Sequence, residues 1–147
     1  MKREPVTSRL VLIIKYLNRL REFESVSVDE YLNSFDYQLI AERLIQLLVD
    51  VASDINTYIL VQLHNIVPSA YYDSFVEAGK KGIVTRELAL GLAASAGMRN
   101  RLVHQYEVID NRIVFSAIPI ALDQYQLYVQ EITSFLDSLE ITEHDSI

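Results

Sequence analysis

The sequence predicts an all-α protein, an up-and-down bundle of about four to five helices. Three observations carry this expectation. Glycine and proline together number seven in 147 residues, so little punctuates the chain and its elements must be few and long. Apolar residues return every three or four positions over long stretches, which is helical spacing. Alternation of period two is nearly absent, "NRIVFS" being its only rival.

Each element follows from local chemistry. Val6, Leu10, Ile13, Ile14, Leu17 and Leu20 mark an amphipathic helix over residues 6–23. "SVSVDEYLNSF" reads as a connection in which Ser27 and Glu30 form a capping box. Asp36 opens a long second helix to about His64, with Ile40, Leu44, Leu48, Val51, Ile55 and Ile59 in register and much of its circumference apolar. His64 falls where a basic group complements the helix dipole. "VPSAYYDSFVEAGKKG" is a proline-led short helix closed by glycines near Gly79 and Gly82. Thr85 caps the next helix, which runs to about Tyr106. The last begins in "DNRIVF" and is expected to kink or break near Pro119, where proline removes a backbone donor. Residues 1–139 are expected as a single helical domain and 140–147 as a loose tail.

Composition narrows the function classes. With no cysteine there are no disulfides and no thiolate metal sites, in keeping with a reducing cytosol. The basic start and the apolar run Leu10–Ile14 suggest a signal peptide, but Lys15 breaks the run after five residues and no small-residue cleavage site follows. No stretch has eighteen consecutive apolar residues, so no membrane span is expected and the chain reads as soluble and cytoplasmic. A net charge of −7 counts against nucleic-acid binding, yet the charge is unevenly spread. Residues 1–21 carry six basic groups against Glu4 alone, whereas residues 107–147 carry eight acidic groups against Arg112 alone.

The densest chemistry lies in "MRNRLVHQY", Met98 to Tyr106. At 100° per residue, Leu88, Leu92, Ser95, Arg99, Leu102 and Tyr106 share one stripe, the packing seam of the helix, so Arg99 sits where an apolar residue belongs. An arginine there needs a carboxylate, a route to solvent or a cleft. Asp54 is a candidate partner for it. Asn100 and His104 form an i, i+4 pair on a neighbouring face, preceded by the small residues Ala89, Ala93, Ala96 and Gly97. Such a row admits close approach of another helix, including one from a second subunit. Arg-x4-His alone is a weak signal in a chain with nine arginines; Asn directly after the arginine and Tyr two after the histidine make the combination specific. Arg101 reads as surface and His144 as part of the tail.

These residues resemble the HEPN domains, and within them the HepT-type toxin ribonucleases. The resemblance rests on Arg99, Asn100, His104 and Tyr106, extends to "AERLIQLLVDVASDINTYIL" and "SFVEAGKKGIVTRELALGLAASAG", and covers roughly residues 5–139. Thr57 and Tyr58 depart from it, standing where relatives often carry histidine or another polar group. The resemblance implies an HEPN-like bundle and a metal-independent endoribonuclease acting as a homodimer without a cofactor. It further implies a small nucleotidyltransferase antitoxin as partner, which silences the toxin by transferring AMP to Tyr106.

The residue types suit that chemistry. Metal-free RNA cleavage sends the ribose 2′-hydroxyl against the adjacent phosphate. It needs a base, an acid and positive charge on the phosphorane. Histidine, the residue type at position 104, can serve as base or acid near neutral pH, and arginine, the residue type at position 99, presents a charged fork matched to phosphate oxygens. Asn100 would hold a phosphate or ribose oxygen or fix the histidine tautomer. One chain offers one motif histidine, and a two-fold dimer joining the motif faces would supply both acid and base. A basic first helix would extend the RNA track. Two rivals remain: a module that binds RNA or nucleotide without cutting, and a protein-interaction subunit. A ribonuclease should have Arg99 and His104 converging on an open cleft; an interaction subunit should bury Arg99 against a carboxylate with His104 uninvolved. No metal-binding pattern and no glycine-rich phosphate loop is present.

Overall fold

The computed structural model describes residues 1–104 and 109–145, with side-chain surroundings given as far as residue 140. Its order is α1 (Glu4–Arg21), a 3-10 turn (Glu22–Ser25), α2 (Val28–Leu32), α3 (Phe35–His64), α4 (Tyr71–Lys80), α5 (Arg86–His104) and α6 (Asn111–Asp145), with no strand among the described residues. The all-α bundle expected from the sequence is what the chain forms.

The local signals act as their chemistry requires. The Ser27 side chain accepts from the Glu30 backbone and the Glu30 carboxylate accepts from the Ser27 backbone, completing the capping box. That box starts a helical turn, α2, where the sequence suggested only a connection. Asn65, in the left-handed conformation at φ 54°, ends α3, and Thr85 Oγ1 accepts from the Leu88 backbone to start α5.

Two expectations need correction. Pro119 does not break the last helix: α6 is continuous from Asn111 to Asp145 with Pro119 inside it. Pro119 faces solvent, where water can satisfy the carbonyl left without its donor. On the inner face Val114, Ile118, Ala121, Leu122 and Tyr125 are buried on both sides of the proline, so both halves of the helix pack into the core. Residues 140–145, expected as a tail, continue α6.

At the centre stands α3, packed by α1, α4, α5 and α6. It is long and apolar enough to cross a membrane, but 61% of its most apolar window is buried inside the fold, which is the position of a core helix. Its contacts with α6 include a buried polar group: the Tyr128 hydroxyl donates toward Asn56 Oδ1 at 2.6 Å and Ala52 O at 3.0 Å, while Asn56 Nδ2 reaches Ser74 Oγ on α4. This arrangement sets α4 and α5 side by side against the middle of α3, where the motif helix meets it.

Candidate functional site

Ser95 and Arg99 lie one turn apart on the inner seam of α5, below the buried Leu88 and Leu92. Ser95 Oγ is 2.7 Å from the Tyr125 hydroxyl of α6. Arg99 reaches α3, where its Nε donates to Asp50 Oδ1 at 2.9 Å. Asp50, and not Asp54, is therefore its carboxylate. Asp54 lies one turn further along α3, with Oδ2 at 4.0 Å from Arg9 Nε of α1. Burial pushes the Asp54 carboxyl above its ordinary range, with Arg9 opposing the shift and the neighbouring Asp50 adding to it.

Arg99 is held on a second side. Its guanidinium carbon lies 4.6 Å from the centroid of the Tyr71 ring at the start of α4. The Tyr71 hydroxyl is pushed above the usual phenol range by burial first, then by the Asp50 carboxylate, with Arg99 pulling the other way. Arg99 Nη1 donates to Asn100 Oδ1 at 3.4 Å, and Nη2 has no hydrogen-bond partner among the described residues. The Arg99 and Asp50 side chains keep 16% and 26% of their exposure, so the pair opens to solvent on one edge. Asp50 thus occupies the side of the guanidinium and leaves its terminal edge able to meet an anion.

His104, the last residue of α5, is exposed and has no hydrogen-bond or ion-pair partner among the described residues. Five residues separate it from Arg99, about 140° round the helix and about 7.5 Å along it. Within one chain the two do not converge. Arg99 against a carboxylate with His104 apart is the arrangement anticipated for an interaction subunit. It differs in that the carboxylate is the chain's own and the pair stays open. Tyr106 lies outside the described residues.

The small-residue row serves a different purpose from the intersubunit one considered above. Ala89, Ala93 and Ala96 are buried within the chain. A Cβ built on Gly79 of α4 would come 2.6 Å from Ala89 Cβ, so the row lets α4 and α5 approach each other. Gly97 alone of that row has open space around it. Among the described residues no group of three His, Cys, Asp or Glu side chains is placed to hold a metal ion.

Asp50 and Tyr71 are the residues that sequence reasoning missed. Asp50 had a legible signal, as a lone carboxylate inside the apolar run "LIQLLVDVA". Tyr71 had none, since its place under Arg99 depends on how α4 packs.

A family model described as Ribonuclease HepT-like matches residues 13–132, most of the chain. The chain belongs to the ribonuclease HepT-like family. Among its relatives, the tRNA nuclease HepT of Aphanizomenon flos-aquae (strain 2012/KM1/D3) is 50% identical over 139 residues, covering 93% of this chain and 95% of that protein. Solved structures share the HepT-like fold at lower identity. The tri-AMPylated HEPN toxin of Shewanella oneidensis, in complex with an MNT antitoxin, superposes with a TM-score of 0.82 at 20% identity, covering 91% of this chain and 99% of that one. A toxin-antitoxin structure with AMP-PNP also has a TM-score of 0.82 at 20% identity, covering 89% of this chain and 98% of that one.

Proposed function

We propose that this HepT-like chain is a metal-independent endoribonuclease and the toxin of a toxin-antitoxin pair, with tRNA its first candidate substrate. The observation that carries the reading is Arg99, fixed by Asp50 with its terminal edge open, one turn and a half before an exposed histidine. Half-identity to a tRNA nuclease over nearly the whole length supports it. In this reading Arg99 takes the charge of the phosphorane, and His104 moves the proton of the 2′-hydroxyl or of the leaving 5′-oxygen. Asn100 steadies a phosphate or ribose oxygen.

The separation of Arg99 from His104 round the helix favours a composite site in a homodimer. Leu90, Ala94, Gly97, Arg101 and His104, spaced 4, 3, 4 and 3, form an outward seam of α5. Leu90 is 62% exposed, and Gly97 allows a second helix to approach. A two-fold contact along this seam brings two His104 side chains together and supplies acid and base at once. The partner of the dimer is a small nucleotidyltransferase antitoxin, and Tyr106 is the site where AMP is attached. The added negative charge and bulk there would block the phosphate subsite.

The deciding experiment compares wild type with His104→Ala and Arg99→Ala on total RNA in EDTA, after mass analysis has established that Tyr106 is unmodified. Cleavage by wild type alone, leaving 2′,3′-cyclic phosphate ends, is the expected result. RNA bound and left intact by unmodified wild type would transfer the site to a binding module.

A further inference from the structure

We infer that Asp50, assisted by Tyr71, is a positioning residue for Arg99, an inference that rests on the ribonuclease reading above. A guanidinium on a flexible side chain samples many rotamers, and each must be frozen before it can meet a phosphate in one geometry. Here the freezing is already done. Asp50 Oδ1 accepts from Nε at 2.9 Å, and the Tyr71 ring lies against the planar face at 4.6 Å. One contact fixes the edge and the other fixes the plane. Together they hold the terminal edge against swinging sideways or out of plane, with Nη1 also donating to Asn100 Oδ1 and Nη2 left to meet an anion.

The choice of atom matters. A carboxylate set bidentate on the terminal nitrogens would stabilise the pair more and would occupy the edge a phosphate needs. Asp50 sits on the Nε side. Its charge opposes a phosphate nearby, so it weakens ground-state binding of RNA while holding the arginine where charge develops in the transition state. Packing alone would not call for a carboxylate at this position, because an apolar residue on this face of α3 would bury more simply against α5. Arg9 beside Asp54 offsets the acidity of the next turn of α3.

The test separates positioning from structural support by splitting kcat from KM. Asp50→Asn, Tyr71→Phe and Tyr71→Leu are assayed on the substrate RNA beside wild type and Arg99→Ala, with thermal midpoints recorded for each. Asp50→Asn should lower kcat by about tenfold or more, the cost of a loosened catalytic group, with KM equal to or below wild type. Tyr71→Phe keeps the ring and should stay within about threefold of wild type, whereas Tyr71→Leu should follow Asp50→Asn. The inference is overturned if Asp50→Asn keeps wild-type kcat while Arg99→Ala loses it, or if activity falls only in proportion to a lowered midpoint. A wild type that leaves RNA uncut overturns the ribonuclease reading itself, and this inference with it.

Discussion

Single side chains in this core differ sharply in what their hydroxyls do. Tyr31 and Tyr128 are both fully buried. The Tyr128 hydroxyl donates toward Asn56 and Ala52, whereas that of Tyr31 has no partner among the described residues. A buried donor without an acceptor costs about 1–3 kcal/mol, so removing it is favourable. Tyr31→Phe should therefore raise stability by roughly 1 kcal/mol, keeping its ring contacts with Phe23 and Phe115. Tyr128→Phe should lower stability by about 1–3 kcal/mol, because Asn56 Oδ1 loses its donor. Urea denaturation at neutral pH measures both, and equal effects of the two variants would show that the hydroxyls are not distinguished in this way.

At the scale of the element, α5 is a helix with two working faces. Its inner face carries Leu88, Leu92 and the alanine row, which α3 and α4 cover. Its outer face carries Leu90, Ala94 and Arg101, which are exposed among the described residues, and the half-buried Gly97. Gly97 makes this testable without disturbing the fold, since a Cβ there meets no atom of the described residues within 4 Å. Gly97→Arg should keep the helical circular dichroism and thermal unfolding of a folded chain, yet sediment as a monomer and lose RNA cleavage. A dimer that persists in this variant would place the two-fold contact on another face, such as the α6 stripe of Ile113, Ile120 and Leu127.

For the whole molecule, the buried tyrosines set the alkaline limit. Burial pushes the Tyr31, Tyr125 and Tyr128 hydroxyls above the ordinary phenol value of 10.0, with Glu42 adding to the shift at Tyr31 and Tyr125 to that at Tyr128. For Tyr125 the hydrogen bond with Ser95 opposes the shift. The folded chain keeps these protons while the unfolded chain releases them. Stability is therefore fully present below pH 10.0 and is lost as pH rises toward the folded values. Each tyrosine contributes a slope of about 1.4 kcal/mol per pH unit in that window, or about 4 kcal/mol for the three. Urea midpoints should fall steeply above about pH 10, and less steeply in Tyr125→Phe. The chain has no tryptophan, so phenolate absorbance reports the same event directly.

Much of this was legible in the residue order. The all-α class, the capping box of Ser27 and Glu30, the start of α5 at Thr85 and the unusual place of Arg99 on a packing seam all follow from spacing and side-chain chemistry over a turn or two, interactions that the sequence by itself determines. Where reasoning from sequence failed, distant parts of the chain decided. Asp54 and Asp50 are one turn apart on α3 and equally plausible as partners of Arg99. Only the packing of α5 on α3 selects Asp50, and only that of α4 brings Tyr71 under the guanidinium. The same holds for Pro119, whose missing donor is local but whose tolerance depends on the residues buried on both sides of it. The alanine row is visible as a pattern, but burial against α4, fixed by the close approach of Gly79 to Ala89, decides which neighbour it admits. Local periodicity fixes which side chains share a face of a helix; what that face meets is set by contacts across dozens of residues, which spacing along the chain does not encode.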